Sequence, residues 1–175
     1  MNTSDFIKTV FINELKDIVD HHPYIAFMVM STGIEFLGKC LDLNKTGWHD
    51  EGKSKTSFRE AIEEIPSLQK YKPLLDKNGY DLYGSLRCGL LHSAQPKFKI
   101  TLSSKEEAPH LLESIINAQQ RINLKCEDFY ADFKEACEWV INSLELQHSM
   151  NQPFLLVPGE TNYFVGFANS SGSAT

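Results

Sequence analysis

A chain of 175 residues, 42% hydrophobic and 23% charged, has the size and composition of one ordinary globular domain with a substantial core. Its formal net charge of −6 excludes the broad cationic surface that displaces counterions along a nucleic acid, so any recognition of RNA has to be local. The polar, acidic start lacks the basic segment and cleavage site of a secretory signal, and the most apolar run, Tyr24 to Met30, is too short to span a bilayer. A cytoplasmic protein with no membrane partner is expected.

Thr3 or Ser4 caps a first helix that runs to about Asp20, with Phe6, Ile7, Val10, Phe11, Leu15, Ile18 and Val19 at helical spacing. His21-His22-Pro23 breaks it, and Pro23 suits the first turn of a second helix reaching residue 42. Ile25, Phe27, Met28, Val29, Met30, Ile34, Phe36, Leu37 and Leu41 make that helix apolar on most sides, which places it centrally. Gly33 and Gly38 each cost roughly 1 kcal/mol of helix propensity relative to Ala, and are expected to let another helix approach closely. Between them, Glu35 has the most apolar setting of any acid in the chain. It lies at a rim, or it is a buried carboxylate that needs a cation, with Arg87 the first partner to test.

Residues 43–55 read as a loop, and the adjacent His49, Asp50 and Glu51 on it do not converge well as metal ligands. A short helix over 57–64 ends at Pro66, and another over 67–76 finishes near Asn78-Gly79. Residues 79–93 read as a helix with Leu82, Leu86, Leu90 and Tyr83 on its buried side. It contains Tyr83-Gly-Ser-Leu-Arg-Cys-Gly-Leu-Leu-His92. Arg87 is permanently cationic and presents a planar fork of donors that suits phosphate. Histidine is the one side chain whose unperturbed pKa lies close to neutrality, and His92 is expected near a helix C-terminus, where the macrodipole favours a cation. Together they can hold a phosphodiester and move its protons without a metal.

On an ideal helix Arg87 and His92 are about 140° apart. Meeting one phosphate therefore requires a bent Arg stem, a tightened or kinked helix near Gly89, or a second copy of the helix. Cys88 and His92 are an i,i+4 pair and share a face, which admits a thiol or metal site as a minor reading. The structural alternative makes Arg87 a cation paired with Glu35 or with helix carbonyls, and His92 a helix-end residue satisfying backbone groups. Tyr80 and Tyr83 either line a base-stacking pocket or pack in the core or at its rim. His21, His22, His49, His110 and His148 are expected in solvent.

Lys97 to Leu102 and Arg121 to Lys125 alternate as strands that pair into a small sheet, with a short helix between them over about 109–118. Phe129, Phe133, Ala136, Cys137, Val140, Ile141 and Leu144 define a last helix over 127–147. Cys40, Cys88, Cys126 and Cys137 form no C-x-x-C pair and read as reduced, mostly buried thiols. Beyond Met150 two apolar patches lie in a Gly/Ser/Asn-rich tail whose last six residues are expected to be disordered.

The segment Leu86-Arg87-Cys88-Gly89-Leu90-Leu91-His92-Ser93 follows a long helix with Ser31-Thr-Gly-Ile-Glu35-Phe-Leu-Gly38. With helices at 3–20, 23–42, about 68–93 and 127–147, the chain resembles the HEPN superfamily of small helical-bundle proteins over residues 3–147. The resemblance implies a mainly α fold: a HEPN-like helical bundle of four to five main helices in residues 1–150. A small two-stranded β insert near 97–125 and a partly disordered tail at 151–175 lie outside the minimal bundle. It further implies a homodimer whose two Arg/His motifs face a shared cleft.

Many members of that superfamily cut RNA without metal, and others bind only nucleotides or proteins. Carried over, Arg87 would bind and stabilise the phosphate, and His92 would move a proton to or from the ribose 2′-hydroxyl or the leaving 5′-oxygen. In-line attack would leave a 2′,3′-cyclic phosphate, a reaction that depends on positioning and charge stabilisation. Glu35, Cys88, Ser93 and Tyr83 would support the pair, with no metal or cofactor. Where active ribonucleases of this group often carry Asn, Asp or His after the arginine, this chain has Cys88. Two functions are therefore expected in order. The first is a metal-independent endoribonuclease of toxin or defence type, with RNA as substrate and an antitoxin as partner. The second is a catalytically silent module that binds a nucleotide, RNA or a protein.

Overall fold

Phe6, Ile7, Phe11, Leu15 and Val19 line one stripe of the N-terminal segment, and the chain buries that stripe by winding residues 3–21 into a helix, α1. The computed structural model describes residues 3–41, 52–76, 79–97, 99–105 and 107–146. His49, Asp50, Glu51, His148 and the tail at 151–175 lie outside the described residues. Within α1, Ile7–Glu14 is π-helical, with each N–H reaching one residue further back than in an α-helix. Pro23 opens α2 (Pro23–Leu41), whose Phe27, Met30, Ile34 and Leu37 are fully inside. Its apolar character continues well beyond Met30, so by length and composition alone α2 is long and apolar enough to cross a membrane, and more than half of it is buried inside the protein.

The close approach expected at the α2 glycines is present. A Cβ at Gly38 would stand 1.8 Å from the carbonyl oxygen of Ser57 on α3 (Ser54–Glu64), and one at Gly33 would stand 2.4 Å from the Phe133 ring. The helix expected over 67–76 is instead two short pieces, a 3₁₀ turn (Pro66–Tyr71) and α4 (Pro73–Asp76). Pro73 has no N–H to give, so the ladder of the first piece cannot run through it. Next comes α5 (residues 83–93), π-helical over Tyr83–Cys88 and α-helical over Gly89–Ser93. The last helix, α6 (Cys126–Leu146), packs Phe129, Phe133, Ala136, Cys137 and Val140 into the core.

The two strands expected from alternation do pair. β1 (Ile100–Ser103) runs parallel to β3 (Gln119–Lys125), in register from Ile100 opposite Ile122 to Ser103 opposite Lys125. The sheet has three strands, however, and not two. The segment expected to be a helix over 109–118 holds β2 (Glu113–Ile116), antiparallel to β3, in the order β1-β3-β2. Leu111, Asn117 and Ala118 have φ of 56°, 51° and 61°, which a right-handed helix does not admit. Asn117 and Ala118 form the two-residue turn that a β-hairpin favours. The Asn123 side chain donates to Pro109 O at 2.9 Å and to Ser103 Oγ at 2.7 Å, stitching the incoming loop to the central strand.

Cys40, Cys126 and Cys137 are buried free thiols and Cys88 is half-buried. Burial pushes Cys126 up to about 12 and lifts Cys40 and Cys137 well above the ordinary thiol value, so all three are protonated at neutral pH.

Candidate functional site

The site is built on α5, whose start is set by a tight turn. Asp81 has φ of 40°, and its carboxylate accepts the Gly84 N–H at 3.2 Å while Ser85 Oγ donates to Tyr80 O at 2.6 Å. The following π-helical turn carries Arg87 and Cys88 and ends at Gly89, whose N–H reaches back to Gly84 O. The spacing of Arg87 and His92 leaves three routes to one phosphate, a bent Arg stem, a tightened or kinked helix near Gly89, or a second copy of the helix, and the turn before Gly89 is widened. Past Ser93 the chain turns back at Ala94, in the left-handed region, and Lys97 N–H donates to Ser85 O at 2.8 Å. A Cβ at Gly89 would stand 2.6 Å from Gln95 O, so this return passes over a residue with no side chain.

Arg87 points into the bundle. Its Nη2 is 2.8 Å from Glu35 Oε2 on α2, the pairing that an acid in so apolar a helix demands. Glu35 is only 5% exposed. Its other oxygen is 3.0 Å from Lys39 Nζ, one turn along α2, and Ser54 at the start of α3 also hydrogen-bonds to it. Burial pushes the Glu35 carboxyl up, but the hydrogen bonds from Lys39 and Ser54 and the charges of Arg87 and Lys39 outweigh burial and hold it below the ordinary carboxylate value. Burial likewise opposes the Arg87 charge, and Glu35 together with Tyr83 and Cys88 more than restores it. The guanidinium lies 5.6 Å from the centre of the Tyr83 ring, which packs edge-on against Phe58. Cys88 hydrogen-bonds to both Arg87 and Tyr83.

Glu35, Tyr83, Arg87 and Cys88 therefore form one cluster. His92 and Ser93 stand apart from it, exposed at the end of α5, and His92 has no hydrogen-bond or ion-pair partner among the described residues. One carboxylate against two cations leaves the cluster with one positive charge. Arg87 Nε is buried with no hydrogen-bond partner among the described residues, and the Glu35 Oε2 contact is close but not aligned as a hydrogen bond. Lys39 and Ser54 were not anticipated, although Lys39 is the i+4 neighbour that helical spacing offers Glu35.

Tyr80 is a core residue, 1% exposed, with its hydroxyl 3.3 Å from Glu113 Oε1 and Lys99 Nζ over its ring. Only Tyr83 of the two keeps part of its ring accessible. Beside His92, Leu91 is an exposed apolar side chain, as are Tyr24 and Ile25 at the start of α2. The Tyr24 hydroxyl donates to Ala94 O, so the start of α2 and the end of α5 adjoin.

His21 and His22 are exposed as expected, but His110 is not. It is mostly buried, with Nε2 2.8 Å from Tyr71 Oη and Nδ1 accepting the Lys125 N–H at 3.0 Å. Tyr71 donates to Asp132 Oδ2 at 2.6 Å, and Lys70 holds Oδ1 at 2.7 Å. Burial, reinforced by Asp132, pushes the Tyr71 phenol far above its ordinary value, so it remains a donor. No group of His, Cys, Asp and Glu able to hold a metal occurs among the described residues. Comparison of the chain with protein-family models, curated proteins and solved structures found no match.

Proposed function

We propose that this is a HEPN-like, metal-independent endoribonuclease of toxin or defence type, acting in the cytoplasm as a homodimer and held in check by an antitoxin. The observation that carries the reading is the charge state of the α5 cluster. Glu35 fixes the Arg87 guanidinium from one side, yet with Lys39 present one positive charge remains for a phosphate to balance. His92 is unengaged at the exposed end of the same helix, beside apolar Leu91, Tyr24 and Ile25. A second copy docked on that apolar face brings its own His92 towards the cleft, which supplies the geometry that one straight helix does not. The 2′-oxygen attacks phosphorus, the bond to the 5′-oxygen breaks, and His92 moves the protons, leaving a 2′,3′-cyclic phosphate.

The test is cleavage of RNA in EDTA. His92→Ala is expected to remove activity, by roughly 100-fold or more if the group is a general acid or base, with an unchanged melting temperature because the side chain is exposed. Arg87→Ala is expected to lower both. Activity that persists in His92→Ala would overturn the reading.

One observation favours the second reading, a catalytically silent module that binds a nucleotide, RNA or protein. Within one protomer Arg87 is already ion-paired and His92 lies in different surroundings. Calorimetric binding of RNA or nucleotide without turnover would select it.

A further inference from the structure

A polar relay joins the sheet to the bundle, at a place separate from the α5 cluster. The Lys125 N–H, at the last residue of β3, donates to His110 Nδ1 at 3.0 Å. A main-chain N–H can only donate, so Nδ1 is the acceptor and the neutral ring carries its hydrogen on Nε2. That hydrogen meets Tyr71 Oη at 2.8 Å, and Tyr71 passes its own to Asp132 Oδ2 at 2.6 Å. Every bond has a fixed direction, running from β3 through the loop before β2 and the 3₁₀ turn to α6.

We propose that neutral His110 is an acid-released latch fastening the three-stranded sheet to the helical bundle. An imidazolium donates from both ring nitrogens, so a protonated ring turns an N–H against the Lys125 N–H and that bond is lost. The groups facing the ring come from three elements: Lys70 and Tyr71 from the 3₁₀ turn, Lys125 from β3, and Asp128, Phe129 and Asp132 from α6. Asp132, 3.9 Å from Nε2, and Asp128 attract the cation, while Lys70 and Lys125 oppose it. Burial is the largest influence and holds the ring below its ordinary value of 6.5. Asp132, the strongest of the charges acting on the ring, does not offset burial, and that carboxylate also serves Tyr71 and Lys70.

The latch therefore contributes fully above pH 6.5, and its contribution is lost as pH falls through the lower folded value. The opposite side of the sheet is held by Tyr80 to Glu113 and by Lys97 N–H to Ser85 O. Acid thus loosens the β1–β2 connection and the end of β3 first, and leaves the helices packed.

The experiment is ¹⁵N NMR of the full chain between about pH 7.5 and pH 5, the range in which histidines titrate. Ring nitrogen shifts read the His110 tautomer. Amide exchange, corrected for its intrinsic pH dependence, compares Ile122, Leu124 and Lys125 with Phe133 and Ala136 on α6. The expected result is an Nε2–H tautomer at the upper end and a sheet-to-helix exchange ratio that rises roughly 10-fold along the His110 titration, the effect of losing one hydrogen bond. His110→Gln, which stays neutral throughout, is expected to flatten that rise. An Nδ1–H tautomer, a ratio that stays constant while His110 titrates, or an unchanged rise in His110→Gln would each overturn the proposal. Should His110→Gln not fold, the wild-type tautomer and ratio decide it alone.

Discussion

Glu35 is the residue on which the aim of Arg87 depends. Removing one member of a buried ion pair leaves the other charge uncompensated, so Glu35→Gln is expected to cost roughly 2–4 kcal/mol, read by thermal or denaturant unfolding. Replacing Arg87 by Met as well is expected to return part of that loss, because no stranded cation remains. The carboxyl is held below its ordinary 4.5, so as acid is added the unfolded chain takes up the proton first. Wild type therefore keeps its full advantage over Glu35→Gln above pH 4.5 and loses it as pH falls through the lower folded value. A gap that does not close in acid would show that the charge is not what Glu35 contributes. The pairing was legible in the sequence because an acid amid Ile34, Phe36 and Leu37 has to find a cation. The burial of His110 was not legible, since Tyr71 lies 39 residues before it and Asp132 on a different helix.

At the scale of elements, Gly38 sets how closely α2 and α3 pack. Gly38→Ala gains about 1 kcal/mol of helix propensity, but its methyl group meets the Ser57 main chain, and main chain cannot swing aside. The clash is expected to win by about 1–3 kcal/mol, seen as a lower denaturation midpoint, and a rise in stability would contradict the packing described. The long helices were legible because each buries one stripe and exposes the rest. Three features were hidden for physical reasons. The π-helical stretches keep the same apolar spacing as an α-helix. Pro73 splits an otherwise convincing amphipathic run. β2 exposes Ile115 at 79% and Ile116 at 42%, so no inside-outside alternation marks it as a strand.

For the whole molecule, the question is what the exposed ends of α2 and α5 meet. Tyr24, Ile25 and Leu91 are each at least 39% exposed, around a histidine that no neighbour engages among the described residues. If two chains join there, Ile25→Glu places a charge in the contact while disturbing little within the protomer, since that side chain is 49% exposed. The expected outcome is a monomer by light scattering, an unchanged melting temperature and RNA cleavage lost in parallel with the dimer. A dimer that survives the substitution would move the interface elsewhere.

The widened turn over Tyr83–Cys88 has a consequence for how α5 can vary. Each ring of a π-helix encloses one residue more than the ring of an α-helix. Deleting a single residue, Gly84 for instance, would let the turn close at the usual spacing with Arg87 at nearly its present phase relative to the anchored Leu82, because the wider ring is what absorbs the extra residue. Every chemical group of the cluster would still be present, and the guanidinium would still face Glu35. The aim of Arg87 is thus a matter of counting as well as of chemistry: one residue can leave the widened turn without moving it, whereas a second deletion, from a turn already closed, would swing it by about 100°.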